Sequence, residues 1–117
     1  MIELIVEVAT NHGGSLQLAK EFIHEFGLAG ANTIKFQYQR AKHLRKDDPQ
    51  YHWQLKSQLS HDAYAELFKE CTDVGLCFLA TAYHPDEVLM IQDLGCRRIK
   101  VGSGEAGEEP IAFAIRE

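Results

Sequence analysis

Glu7, Lys35, Gln37, Thr81 and Lys100 stand in or at the ends of short apolar runs: "ELIVEVA", "NTIKFQY", "LCFLAT" and "RRIKVG". Read as strands, these runs place residues two apart on one face. Ile34, Phe36 and Tyr38 are apolar and suit packing against helices, so Thr33, Lys35 and Gln37 point the other way. The same alternation separates Glu3, Ile5, Glu7 and Ala9 from Leu4, Val6 and Val8. It also separates Arg98, Lys100 and Gly102 from Ile99 and Val101, and Thr81 ends the Cys77–Leu79 face. One side of the sheet thus carries two ammonium groups, a carboxylate and neutral polar groups. Ionised side chains on such a surface need a partner or a ligand. Glu–Lys pairing inside the sheet is the first reading. The second, and stronger, is a pocket whose lysines hold an anion and whose carboxylate moves protons. Parallel α/β folds place such sites at the carboxyl ends of their strands.

Gly102-Ser103-Gly104-Glu105-Ala106-Gly107 spells G-x-G-x-x-G directly after one of these runs. A dinucleotide fingerprint follows the first strand of its unit and needs an acidic residue about 20 positions on. Here the turn follows the fourth run, and Glu105 occupies the place where a pyrophosphate would approach the backbone. The expectation is instead a loop bent tightly by its glycines over a ligand. Ser103 and backbone N–H groups would reach an anion, and Glu105 would enter the site from the side opposite Glu7.

The elements that must hold these groups alternate. Residues 2–9 form a near-continuous apolar run, as in a strand covered on both faces. Leu16, Ala19, Phe22, Ile23 and Phe26 recur at helical spacing, and Gly27 and Gly30 end that helix. Residues 39–59 are polar and aromatic without a sustained period. Ser60 caps a helix running to Thr72, and Gly75 ends it. Pro85 suits the first turn of a short helix with Asp86 and Glu87, Gly95 stops it, and Pro110 opens a last helix. The β-α-β-α-β-α-β-α order predicts a parallel sheet with helical crossovers. The fold class is therefore α/β, built of parallel (βα) units: four strands and about four helices, half of a TIM-type (βα)8 barrel or a small open sheet.

The chain has 117 residues, 45% apolar and 25% charged, with net charge −5. One domain, residues 1–117, is the expectation. Without a basic cluster, nucleic acid is an improbable partner. No run approaches membrane-spanning length, and "MIELIVEVAT" lacks the basic flank of a signal peptide. Cys71, Cys77 and Cys96 form no C-x-x-C pair, so buried thiols in a reducing cytoplasm are expected. His12, His24, His43, His52, His61 and His84 show no ligand spacing.

"VEVATNHGGSLQLAKEFI", "AGANTIKFQ", "GLCFLATAY" and "IKVGSGE" resemble, in order and spacing, the sialic acid (N-acetylneuraminate) synthase family. E-x-x-x-N-H-x-G, K-F-Q and K-x-x-S-G-E together carry the resemblance, which runs over nearly the whole chain. It implies the N-terminal half of a (βα)8 catalytic barrel. The family condenses phosphoenolpyruvate with an N-acetylhexosamine, typically N-acetylmannosamine, to give a nonulosonic acid and phosphate. By resemblance, Lys35 and Lys100 bind phosphoenolpyruvate, with Ser103 on its phosphate. Gln37 falls where the family contacts the sugar, and Asn11 and His12 match the loop after strand one. Glu7 and Glu105 match carboxylates assigned to proton transfer or orientation. Thr81 matches a threonine usually followed by Pro-Phe; this chain has Ala-Tyr. Gly107 stands where Asn is common. The family uses a divalent metal, Mn or Mg, held by histidines of the second half of the barrel, so no metal ligand is expected in this chain. The C-terminal antifreeze-like domain is also missing from it.

Three functions compete at this stage. The first is a cytoplasmic phosphoenolpyruvate-dependent synthase, incomplete and inactive as this chain alone. The second is a half-barrel anion-binding or assembly module that pairs through open sheet edges, as a homo-oligomer or with a complementary chain. The third is a Schiff-base aldolase using Lys35 or Lys100 as nucleophile.

Overall fold

Both long helices begin at a serine. Ser15 caps α1 (Leu16–Leu28) by accepting the Leu18 N–H, and Ser60 caps α3 (His61–Val74) by accepting the Ala63 N–H. Each such cap is worth about 1 kcal/mol. Gly75 closes α3 in the left-handed region at φ +81°, where a side chain would be strained. Gly27 does not end α1. It lies inside the helix and faces Val74 and Leu76, a small residue where α1 passes the end of α3.

The computed structural model describes residues 1–116. It contains β1 (Ile5–Ala9), β2 (Thr33–Gln37), β3 (Cys77–Ala82) and β4 (Lys100–Val101) in one parallel sheet of order β1-β2-β3-β4. Sequential order with right-handed crossovers puts the helices that pack on the sheet on the same side. Accordingly, Val8, Ile34, Phe36, Tyr38 and Ala80 are buried with Ile23 of α1 and Leu67 of α3. Val88 of α4 (Pro85–Asp93) and Ile111 of α5 (Glu109–Arg116) complete that core. Helices on one face only, with the other face left to polar side chains, is the plan of a βα barrel rather than of a doubly wound sheet.

Three elements differ from the sequence reading. The first strand is shorter than the apolar run and is not covered on both sides: it spans Ile5–Ala9, with Ile5 44% exposed and Val8 1% exposed. The fourth strand shrinks from residues 97–102 to two residues. Arg98 leaves the ladder, donating to both Glu3 carboxylate oxygens at 3.2 and 3.0 Å and to Thr33 Oγ1 at 3.3 Å. This pairing spans the amino-terminal end of the sheet and holds the Glu3 carboxyl below the usual carboxylate range. Finally, residues 39–59 contain a 3-10 turn (Ala41–His43) and α2 (Tyr51–Ser57). The buried residues of α2 are Gln54 and Ser57, while Trp53 and Leu55 are exposed. A helix that buries its polar residues shows no apolar period.

All three cysteines are free, as expected, but only Cys71 is fully buried; Cys77 is exposed. Burial pushes the Cys71 thiol up to about 12. No helix among the described residues is long and apolar enough to cross a membrane.

Candidate active site

The carboxyl end of β1 is irregular. The β1–β2 register runs from Glu7 opposite Lys35 to Ala9 opposite Phe36, so a bulge skips Val8. Ala9 sits at φ +54°, a left-handed conformation that is strained for alanine. The bulge turns the chain into residues 10–15, which pack against α2. Trp53 Nε1 donates to Thr10 Oγ1 at 3.0 Å. Gly14, at φ +90°, leaves no room for a Cβ: its ideal position collides with the Lys56 carbonyl oxygen.

Glu7 and Lys35 meet across this register, Oε1 to Nζ at 3.3 Å, with the lysine 19% and the glutamate 45% exposed. A pair this open contributes roughly 0–1 kcal/mol to stability, so both groups remain available to a ligand. Gln37 ends β2 beside Thr81, and Thr81 lies beside Lys100. The alternation therefore puts Lys35, Gln37, Thr81 and Lys100 on the face away from the helices. Thr81 is buried. Lys100 is exposed and its Nζ donates to the Val101 carbonyl at 3.1 Å. Ser103 and Asn11 are exposed. Glu105 folds back so that its carboxylate lies over the Cα of Gly102; Gly104 and Gly107 stand in open space without positive φ. The turn thus uses one glycine for close approach, not three for bending.

A cavity of about 320 Å³ is lined by Thr10, Gln37, Gln39, Asp48, Trp53 and Tyr83 among others; Gln37 belongs to its wall, and Glu7, Lys35 and Lys100 do not. Tyr83 had no role in the sequence reading. Burial, then Glu105, Glu7 and Glu87, push its phenol up to about 12, so Glu7 and Glu105 both act on one hydroxyl. The signal for it was the Ala-Tyr that replaces Pro-Phe after Thr81.

His12 lies elsewhere. It is 2% exposed and packs against Phe36, with ring centroids 6.2 Å apart. Its Nδ1 accepts the Gly14 N–H at 3.0 Å, while Nε2 is buried without a partner. Burial lowers its pKa from the ordinary 6.5. The unfolded chain therefore takes up this proton first as pH falls. The stability His12 contributes is present above about pH 6.5 and is lost as pH drops toward the folded value. His12→Asn keeps an acceptor for Gly14 and removes the titration. Urea midpoints measured from pH 7.5 to 5 should fall less steeply in this variant than in the parent; equal slopes would contradict this assignment.

Glu87 was read only as a favourable charge at a helix start. It is 1% exposed, and its two carboxylate oxygens accept the Tyr83 N–H at 2.8 Å and the Arg40 N–H at 2.7 Å. It therefore ties the chain leaving β2 to the chain leaving β3. Burial raises its pKa against the effect of these two hydrogen bonds.

A parallel sheet of sequential strand order with helices packed on one face and ionisable groups on the other is the architecture of βα-barrel enzymes. A family model described as the NeuB family matches residues 22–116, and this chain belongs to that family. It is 28% identical over 122 residues to an N,N'-diacetyllegionaminic acid synthase of Legionella pneumophila, covering 92% of this chain and 34% of that protein. It is 29% identical over 121 residues to the human N-acetylneuraminate-9-phosphate synthase, again covering 92% of this chain and 34% of that protein. The chain thus spans about a third of the curated relatives' length. Its fold matches the crystal structure of an N-acetylneuraminic acid (sialic acid) synthetase from Leptospira borgpetersenii in complex with citrate. There the TM-score is 0.84 at 21% identity, over 98% of this chain and 49% of that one.

Among the described residues, the one group of His, Cys, Asp and Glu with metal-ligand spacing is His43, His84 and Asp86. Two of the three, His43 and Asp86, line a cavity with Tyr38, in the segments that follow β2 and β3.

Proposed function

We propose that the face carrying Glu7, Lys35, Gln37, Thr81 and Lys100 binds phosphoenolpyruvate for condensation with an N-acetylated hexosamine, N-acetylmannosamine or a relative. The relatives' names, synthases of legionaminic and neuraminic acids, support the sugar class. The observation that carries the reading is the strand register. It sets two lysines on one face at strand carboxyl ends, with Glu7 alongside.

The chemistry follows from the ligand. Phosphoenolpyruvate has a carboxylate and a phosphate, and ammonium groups form charge-assisted hydrogen bonds to both. Its methylene carbon attacks the aldehyde of the open-chain sugar. A carbon–carbon bond forms, and the former aldehyde oxygen takes a proton. Water adds to the oxocarbenium carbon, that carbon's bond to the phosphate oxygen breaks, and a keto acid and phosphate result. Glu7 and Glu105 supply carboxylates for these proton movements, and Ser103, within the turn, offers its hydroxyl as a hydrogen-bond donor to the phosphate. By resemblance, histidines of the second half of the barrel would hold a divalent metal, which would polarise the sugar aldehyde as a Lewis acid. A Schiff-base route would need a desolvated neutral amine; Lys35 sits beside a carboxylate and Lys100 is exposed.

Calorimetric titration of phosphoenolpyruvate into the chain tests the reading. One saturable site is expected. Lys35→Gln and Lys100→Gln should each weaken it about tenfold or more, the loss of one hydrogen bond to a charged group. Binding that ignores both substitutions would remove the lysines from the account.

A further inference from the structure

His43 and His84 are far apart in sequence and stacked in space. Their ring centroids lie 3.6 Å apart and their planes 10° apart. One oxygen of Asp86, Oδ2, sits 3.7 Å from His43 Nε2 and 3.8 Å from His84 Nδ1. His43 belongs to the turn after β2; His84 and Asp86 open α4 after β3. His43 Nε2 is buried and has no hydrogen-bond partner. A buried ring nitrogen left unpaired costs free energy unless something occupies it.

We propose that His43, His84 and Asp86 form a binding site for a divalent d-block cation of the zinc class, a clasp between the chain segments that follow β2 and β3. Two imidazoles and one carboxylate suit zinc and its neighbours, whereas magnesium prefers an all-oxygen shell. Ligand atoms in a tetrahedral zinc site lie about 3.3 Å apart, given bonds near 2.0–2.1 Å. The atoms here are already within 4.8 Å of one another, so closure asks for a contraction of a few tenths of an ångström at each Asp86 contact and a turn of the stacked rings. His84 Nδ1 now accepts the Asp86 N–H at 3.2 Å, and ligation through that atom exchanges this cap bond for a metal bond. The fourth coordination position is left to water. His43 and Asp86 also line a cavity of about 330 Å³ with Arg40 and Lys42, which gives that position room. The site is independent of the phosphoenolpyruvate reading.

The chain, stripped with chelator, is titrated with Co²⁺ as a spectroscopic probe and with Zn²⁺ against a chromophoric chelator. One Zn²⁺ per chain is expected, with visible d–d absorption from Co²⁺ that Zn²⁺ displaces and a rise in Tm on adding Zn²⁺. His43→Gln and Asp86→Asn should each weaken Zn²⁺ binding beyond the ~10–100-fold lost when only an outer-shell partner is removed, and should abolish the Tm rise. His24→Ala, which alters an exposed histidine paired with Glu70 on another part of the surface, serves as the control and should change neither. Two substitutions guard against a folding failure in one. Substoichiometric Zn²⁺, no Co²⁺ absorption, or equal affinity in the parent, His43→Gln and Asp86→Asn would overturn the proposal.

Discussion

Glu87→Ala is expected to lower the free energy of unfolding by about 3 kcal/mol, from the loss of acceptors for two backbone N–H groups at roughly 1–3 kcal/mol each. The Glu87 carboxylate is the shared anchor of Arg40 and Tyr83, and its removal also leaves a cavity under α4. Glu87→Gln keeps one acceptor and turns an N–H₂ toward the other amide, so its loss should fall between parent and alanine variant. Urea denaturation measures both. A Glu87→Ala protein within about 1 kcal/mol of the parent, the size of an ordinary surface change, would mean that the carboxylate does not hold these segments.

Gly14→Ala should cost a similar amount, roughly 3 kcal/mol, because two penalties coincide: a left-handed φ at about 1–2 kcal/mol and overpacking at about 1–3 kcal/mol. The Cβ would meet the Lys56 carbonyl, which is backbone and cannot swing aside. Gly13→Ala is the internal comparison. Gly13 also has positive φ, +60°, but its Cβ would meet only Trp53, at 4.0 Å. It should lose only the conformational part. Equal losses in the two variants would show that the loop after β1 is not seated on α2 as described.

The alternation in "NTIKFQY" was enough to assign faces, because β2 is a central strand with helices on one side, and its apolar residues are buried. The Ser60 cap of α3 was legible because a cap is local chemistry. Burial imposed by distant segments was not legible. Gln54 and Ser57 are buried because Gln54 reaches the Gln39 carbonyl at 2.8 Å and α2 closes over residues 10–14. A polar buried face looks like a surface in sequence. Glu87 reads as a dipole charge until the fold brings Arg40 to it. The His43–His84 stack joins two turns whose proximity only the sheet order creates. In the candidate site, Glu7, Lys35, Gln37, Thr81 and Lys100 were placed by strand parity alone. Tyr83 was missed because it follows the strand, where parity no longer applies. His12 was read as pocket-lining from its loop position, whereas it turns into the core and braces Gly14.

The account rests on Lys35 and Lys100 addressing one dianionic ligand on the face away from the helices. Chain labelled with ¹³C at lysine Cε, titrated with phosphoenolpyruvate, tests this directly by NMR. The account predicts saturable shifts at Lys35 and Lys100 with one common dissociation constant, and none at Lys42, which lines the separate cavity of His43 and Asp86. Shifts at Lys42 with Lys35 silent, or no saturable shift at any lysine, would contradict it.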